Sequence, residues 1–141
     1  IALNDFNILF YNTTFFKVNQ KIRAHEDTIT KIEYYADNKI ISSSHDCTYK
    51  FWDINNKIPI SCFYDFEEKI ISSDICRVNN IYGCLDEKGN VVFRSALHHK
   101  EYKTLNTQNN LGYLEYLLIK FNPLNPYQYF ISSSTSFKVY D

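Results

Sequence analysis

Apolar and polar residues alternate in short runs along this chain of 141 residues. β-branched and aromatic residues come in stretches of five to eight separated by Asn, Asp, Gly and Ser, and none sustains a 3.6-residue period. Alternation bounded by turn formers is the pattern of strands rather than amphipathic helices, so the chain is expected to be all-β. The pattern places strands at 6-11 and 14-19, then at 28-35, 39-44, 48-53 and 58-64. A third set falls at 69-76, 79-84, 90-95 and 100-105, with Glu87-Lys88-Gly89-Asn90 as a hairpin turn. The last strands, at 113-121, 127-132 and 136-140, follow a polar loop through Asn106 to Gly112.

These strands repeat. Segments Phe6 to Asn12, Thr48 to Asp53, Val91 to Ser95 and Phe137 to Asp141 share one shape, and their anchors Tyr11, Trp52, Arg94 and Tyr140 are 41, 42 and 46 residues apart. A period near 42 with four short strands per period is the arithmetic of a β-propeller blade. The expected fold is a partial β-propeller of about three to three and a half four-stranded antiparallel blades. Its divisions are a blade fragment at 1-23, a blade at 24-65, a degenerate blade at 66-106 and an incomplete blade at 107-141. Propellers close with about four to eight blades, so further repeats or a partner chain are needed to complete the ring.

One repeat carries a family resemblance. Ala24-His25-Glu26-Asp27-Thr28-Ile29-Thr30-Lys31-Ile32, followed by Ile41-Ser42-Ser43-Ser44-His45-Asp46-Cys47-Thr48-Tyr49-Lys50-Phe51-Trp52-Asp53, resembles a WD repeat of the WD40 type. In that family a Gly-His pair opens the blade, a Ser-x-Ser-x-Asp-x-Thr hairpin joins its second and third strands, and Trp-Asp closes the third. Ala24 departs from the family's Gly. Tyr11-Asn12, Arg94-Ser95 and Tyr140-Asp141 stand in for Trp-Asp elsewhere, without the opening His. The resemblance implies that His25, Ser42, Asp46 and Trp52 form a buried hydrogen-bonded tetrad, with Ser44 as the alternate if the register slips. It also implies a partner-binding rim at Thr28, Thr30 and His45. Asp5 stands to Tyr11 as Asp46 does to Trp52 and is expected to stabilise a turn. The His25 to Ile32 stretch and the rhythm of the next repeat bear a weaker resemblance to the C-terminal propellers of BEACH-domain proteins, which act in vesicle trafficking.

Charge narrows the partners. Fifteen Lys and Arg against sixteen Asp and Glu leave a net charge of -1, so no long-range field draws the chain to nucleic acid. Apolar runs are far shorter than the roughly 20 residues of a membrane span, and no transmembrane segment is expected. The start, at Ile1-Ala2-Leu3-Asn4-Asp5, lacks a signal sequence and an initiator Met and reads as the interior of a longer chain. Cys47, Cys62, Cys76 and Cys84 form no C-x-x-C pair, so reduced, mostly buried thiols in an intracellular, cytoplasmic setting are expected. Abundant Ile, Asn and Lys beside scarce Arg and Ala reflect A/T-rich codons, which leaves the lysines little functional information.

Candidate chemistry is sparse. His25, Ser42 and Asp46 contain the parts of a hydrolase triad, but Ser42 lies in a β run without a nucleophile elbow. His45 and Cys47 flank Asp46 without a second ligand pair, and adjacent His98 and His99 read as solvated loop residues, so no metal is expected. Gly83, Gly89 and Gly112 are too scattered to cradle phosphate, and no cofactor is expected. The expected function is a noncatalytic scaffold that binds other proteins as part of a larger propeller, in membrane or vesicle trafficking. The alternative is membership of an RNA-associated complex such as ribosome biogenesis machinery, without direct RNA contact.

Overall fold

The computed structural model describes residues 6–107, 118–133 and 136–141. Among these the chain forms β1 (Asn7–Asn12), β2 (Lys17–Arg23), β3 (Ile29–Ala36), β4 (Lys39–Ser44), β5 (Tyr49–Asp53) and β6 (Ile58–Phe63). Then come β7 (Ile70–Cys76), β8 (Ile81–Asp86), β9 (Asn90–Ser95), β10 (Glu101–Asn106), β11 (Leu118–Phe121), β12 (Tyr129–Ser132) and β13 (Phe137–Tyr140). The architecture is all-β: β1-β2, β3-β4-β5-β6, β7-β8-β9-β10 and β11-β12-β13 are four antiparallel sheets, none of them closed. Every described strand pairs with its neighbour in sequence, as short hairpin connections favour.

Each successive pair of sheets encloses an apolar cluster. Ile8, Ala24, Ile40 and Trp52 fill the first, and Ile41, Phe51, Ile70, Tyr82 and Val92 belong to the second. Leu85, Val91, Phe93, Ile119 and Ile131 belong to the third. Alternation explains how one strand serves two clusters: Ile40 points to the first sheet and Ile41 to the third. The central strands β8 and β9 are therefore buried along almost their whole length, whereas β10, with Glu101 and Lys103, is exposed. A charged, exposed strand blunts a sheet edge against unwanted pairing.

Three expected strands start two or three residues late, and a fourth is described only in part. β12 begins at Tyr129 rather than at 127, after a turn in which the Gln128 amide donates to Asn125 O at 3.0 Å. β2 starts at Lys17 rather than at 14, because the Asn12 side chain accepts the amides of Thr14 and Phe15, both at 2.9 Å, and bends residues 13–16 into a turn. Phe16 closes that turn at φ 50° while the Tyr11 hydroxyl donates to its carbonyl at 2.6 Å. β8 starts at Ile81 rather than at 79, because Asn80 turns the chain at φ 52°. β11 begins at Leu118 among the described residues, and the expected 113–117 portion, with Gly112, lies outside them. The Glu87 to Asn90 turn forms around Asp86, whose carboxylate accepts the amides of Lys88 and Asn90 at 3.0 and 2.7 Å, with Gly89 at φ 81°. Of the four free thiols, Cys76 and Cys84 are buried and Cys47 and Cys62 half-buried.

Gly83 marks a close approach of the third and fourth sheets. A Cβ there would lie 3.0 Å from Ile119 Cδ1 and 3.1 Å from Phe93 Cε1, both in the packed third cluster. Gly83→Ala is therefore expected to cost about 1–3 kcal/mol through overpacking. The urea unfolding midpoint measures it, and an unchanged midpoint would mean that both side chains yield freely.

Candidate functional site

His25, Ser42, Asp46 and Trp52 come together between the first and second sheets. His25 lies in the connection into β3, held where Phe6 O accepts the amides of Ala24 and His25 at 3.0 and 3.2 Å. Ser42 is on β4 and Trp52 on β5, while Asp46 lies in the hairpin turn between those strands. The Trp52 indole N–H donates to Ser42 Oγ at 2.8 Å, and Ser42 Oγ lies 2.7 Å from His25 Nε2. His25 Nδ1 lies 2.8 Å from Asp46 Oδ2. Because Ser42 accepts from the indole, its own hydrogen is free for Nε2, and Nδ1–H then points at the carboxylate, so each group has a partner. His25 and Ser42 are 1% and 0% exposed. Ser44, the alternate serine, does something else: its Oγ accepts the Asp46 amide at 3.1 Å and donates to Asp27 O at 3.0 Å.

Asp46 is the most heavily used group of the four. Oδ1 accepts the Thr48 hydroxyl at 2.6 Å and the Thr48 amide at 3.0 Å, while Oδ2 also accepts the Glu26 amide at 2.9 Å. Burial pushes the carboxyl up, but the hydrogen bonds from His25, Thr48 and Glu26 outweigh it and hold Asp46 well below the usual carboxylate range. Thr48, which the sequence reading left unassigned, is thus a fifth member, its Oγ1 also 3.2 Å from His25 Nδ1. Its position two residues after Asp46 was the available signal.

The expected rim residues divide into two kinds. Thr28 is exposed and His45 half-buried, and they are neighbours because the His45 amide donates to Thr28 O at 2.9 Å. Thr30, on β3, turns its hydroxyl inward to within 3.0 Å of Ser43 Oγ, which lies 2.9 Å from Ser73 Oγ on β7. Thr28 and His45 are accessible at the surface, whereas Thr30 joins a hydroxyl chain linking the second and third sheets. Asp5, expected to brace a turn, lies outside the described residues.

A second polar cluster, which the sequence reading did not find, ties the second and third sheets. Arg94 on β9 donates through Nε to the Tyr49 hydroxyl at 2.6 Å, through Nη2 to Asp65 at 2.6 Å and through Nη1 to His99 O at 2.8 Å. Tyr49 donates to the same Asp65 carboxylate, and the guanidinium lies 4.0 Å from the Phe63 ring centroid. Burial opposes the Arg94 charge, but Asp65 and Tyr49 outweigh it and raise its pKa. The repeat held the signal: Arg94 occupies the anchor position that Trp52 fills 42 residues earlier.

His99 corrects an expectation. Rather than a solvated loop residue, it is half-buried, with Nδ1 2.8 Å from Ser61 Oγ and its ring centroid 4.4 Å from that of Phe51. Its backbone, at φ 57°, turns the side chain under the second sheet, while His98 stays exposed. Burial lowers the His99 pKa, and the charges of Lys39, Arg94 and His98 lower it further.

Among the described residues no group of three His, Cys, Asp or Glu side chains is placed to hold a metal ion. No helix there is long and apolar enough to cross a membrane. A cavity of about 510 Å³ lies beside β7 and β11, where Asp74 already accepts from Lys120 Nζ and the Phe121 amide, both at 2.9 Å. No family model matches this chain, and no curated protein matches it.

Trp52→Phe keeps most of the apolar volume but takes the donor from Ser42, and is expected to lower unfolding free energy by about 1–3 kcal/mol in urea titration. Acid should act in two windows. The folded-state pKa of His99 lies below its ordinary 6.5, so the unfolded chain takes up that proton first, and stability falls as pH drops below 6.5 until the folded value is passed. Asp46 behaves separately: its contribution is present above 3.8 and is lost as pH falls from there toward its depressed folded value. Melting temperatures of a His99→Asn variant should lose the slope between about pH 7 and pH 5 and keep the loss below about pH 4.

Proposed function

We propose that the four sheets are successive blades of a WD-type β-propeller, and that the chain is a noncatalytic scaffold for protein–protein interaction within a larger propeller. The observation that carries this reading is the unbroken chain from the Trp52 indole through Ser42 and His25 to Asp46. It has the order and the strand positions that the WD resemblance implies. The meander order of each sheet and the apolar clusters between successive sheets support it. So does the sealed position of Ser42: a hydroxyl at 0% exposure, engaged by an indole and an imidazole, has no approach for an acyl group. On the far side of the fourth sheet, Leu118, Phe137 and Val139 are 41%, 72% and 58% exposed. Further repeats or a partner chain would cover that face.

On this reading Thr28 and His45 form the partner-binding rim, and Thr30, anchored through Ser43, fixes the strand that presents them. The trafficking context rests on the BEACH-like character of the His25 to Ile32 stretch and of the rhythm of the next repeat.

A Thr28→Glu/His45→Glu double variant should keep the wild-type melting temperature and lose the proteins that wild type captures by cross-linking in cells. Unchanged capture would remove the rim assignment. Loss of a measured hydrolytic activity in Ser42→Ala would overturn the noncatalytic reading.

A further inference from the structure

The cavity of about 510 Å³ beside β7 and β11 is built from the end of β7, the turn that follows it, and β11 with its connection to β12. Its apolar wall is Ile75, Cys76, Phe121 and Phe130, all buried or half-buried. Pro126 O fastens the two sides, accepting Asn79 Nδ2 at 2.9 Å and Cys76 Sγ at 3.6 Å, so the hollow is preformed and an entering group does not have to order it. Apolar surface continues outside. Val78, in the wall, and Leu124, beside Pro123 of the same wall, are 71% and 93% exposed. Apolar side chains left in water around one groove mark a place where another molecule binds.

Charge selects the occupant. Asp74 is fully engaged within the wall, one carboxylate oxygen on Lys120 Nζ and the other on the Phe121 amide, both at 2.9 Å. Glu33, on β3, lies 3.1 Å from Lys31 Nζ and 3.7 Å from Arg77 Nη2. The acids of this network are the covered partners, with Glu33 and Asp74 18% and 13% exposed, whereas Lys120 and Arg77 are 34% and 68% exposed and both line the cavity. Burial opposes the Lys120 charge, but Asp74 outweighs it, so the ammonium stays charged. Exposed Asp37 shares a neighbouring hollow with Arg77 and is not in the wall of this one. An entering group therefore meets a cationic rim over an apolar floor. A neutral apolar group would leave the guanidinium donors unanswered, and a nucleic acid would press phosphates against apolar wall on a chain of net charge -1. A carboxylate next to a large apolar side chain answers both. We propose that this groove is a second docking site, which takes an acidic peptide segment of a partner protein, a large apolar side chain filling the cavity and a flanking carboxylate meeting Arg77 and Lys120. It lies at the opposite end of the strands from Thr28 and His45, since Arg77 sits beside the Ala36 end of β3 and Thr28 precedes its Ile29 end. That the segment belongs to a protein rests on reading the chain as an interaction platform; the choice of an apolar carboxylate stands on the groove itself.

The test is a ¹H–¹⁵N NMR titration of the whole chain with four probes: acetyl-Gly-Asp-Leu-Phe-Asp-Gly-amide, the same peptide with Asn for both Asp, the same peptide with Ala for Leu and Phe, and hexanoate. The first peptide should shift the amides of Cys76, Arg77, Val78, Phe121 and Phe130. It should bind at least about tenfold more tightly than the Asn peptide, the worth of one charged hydrogen bond, and than the Ala peptide, which has no side chain to fill the cavity. Added salt should weaken the first peptide and leave the Asn peptide unchanged. Arg77→Gln, with amide dispersion showing that it is folded, should shrink the preference for Asp over Asn. Val78→Ser should weaken the Asp and Asn peptides alike. Equal binding of the Asp and Asn peptides, equal binding of the Leu-Phe and Ala-Ala peptides, shifts elsewhere, or no binding would overturn the site. Binding of hexanoate with exclusion of the first peptide would assign the groove to a small free acid and overturn the partner. None of these results bears on capture through Thr28 and His45, so failure here and failure of the platform reading are separable.

Discussion

Ser42 is sealed from water, so its hydroxyl has to find both a donor and an acceptor inside the protein. It takes its donor from the Trp52 indole and gives its own hydrogen to His25, which fixes the ring of each. His25 in turn meets Asp46, and Asp46 gathers the Thr48 hydroxyl and two backbone amides around itself. A single hydroxyl thus sets the relation of the chain entering β3, the β4 strand and the β4–β5 turn. The surrounding apolar cluster of Ile8, Ile40 and Trp52 could tolerate small shifts. The polar chain could not, because hydrogen bonds in a dry interior weaken steeply with distance and angle, and each member depends on the next.

The next interface keeps the position and changes the chemistry. Trp52 and Arg94 both face the preceding sheet from the third strand of their own. The neutral indole turns back to a serine in its own sheet, whereas the guanidinium reaches across to Tyr49 and Asp65 and lies over Phe63. One device braces a sheet internally and the other fastens two sheets together. Arginine suits the second task because its planar fork can serve several acceptors at once while its face packs on an aromatic ring. Asp65 keeps part of its carboxylate open to water, which moderates the cost of bringing the charge inside.

Much of this was legible in the residues. β4 and β9 fall where the sequence placed them and β5 begins one residue later, because each is a short apolar run bounded by strong turn formers. Segments failed where a side chain competed with the backbone: Thr14 to Phe16 look like strand, but the Asn12 carboxamide accepts the amides of Thr14 and Phe15 first. Parity left Ser42 and Ser44 equivalent, since both point to one face of β4. The β4–β5 register, with Ile40 opposite Trp52, brings Ser42 within reach of the indole and leaves Ser44 to the turn. Contacts between sheets had no local signature. His99 meets a serine 38 residues away, and Arg94 meets Asp65 across 29 residues, so only tertiary structure could reveal either.

The three clusters lie in series, each shared by two neighbouring sheets alone. Such a stack behaves as a one-dimensional chain of coupled units, in which every sheet is stabilised by its nearest neighbours and the coupling decays with distance. Fluctuations would then open it from the outer sheets inward, with β4, β5, β8 and β9 the slowest to exchange their amide hydrogens. The middle junction differs from the other two. Loosening the contact that holds Tyr49 against Tyr82 would leave two half-molecules, each keeping a cluster of its own, so the chain has a built-in plane of division at its second interface.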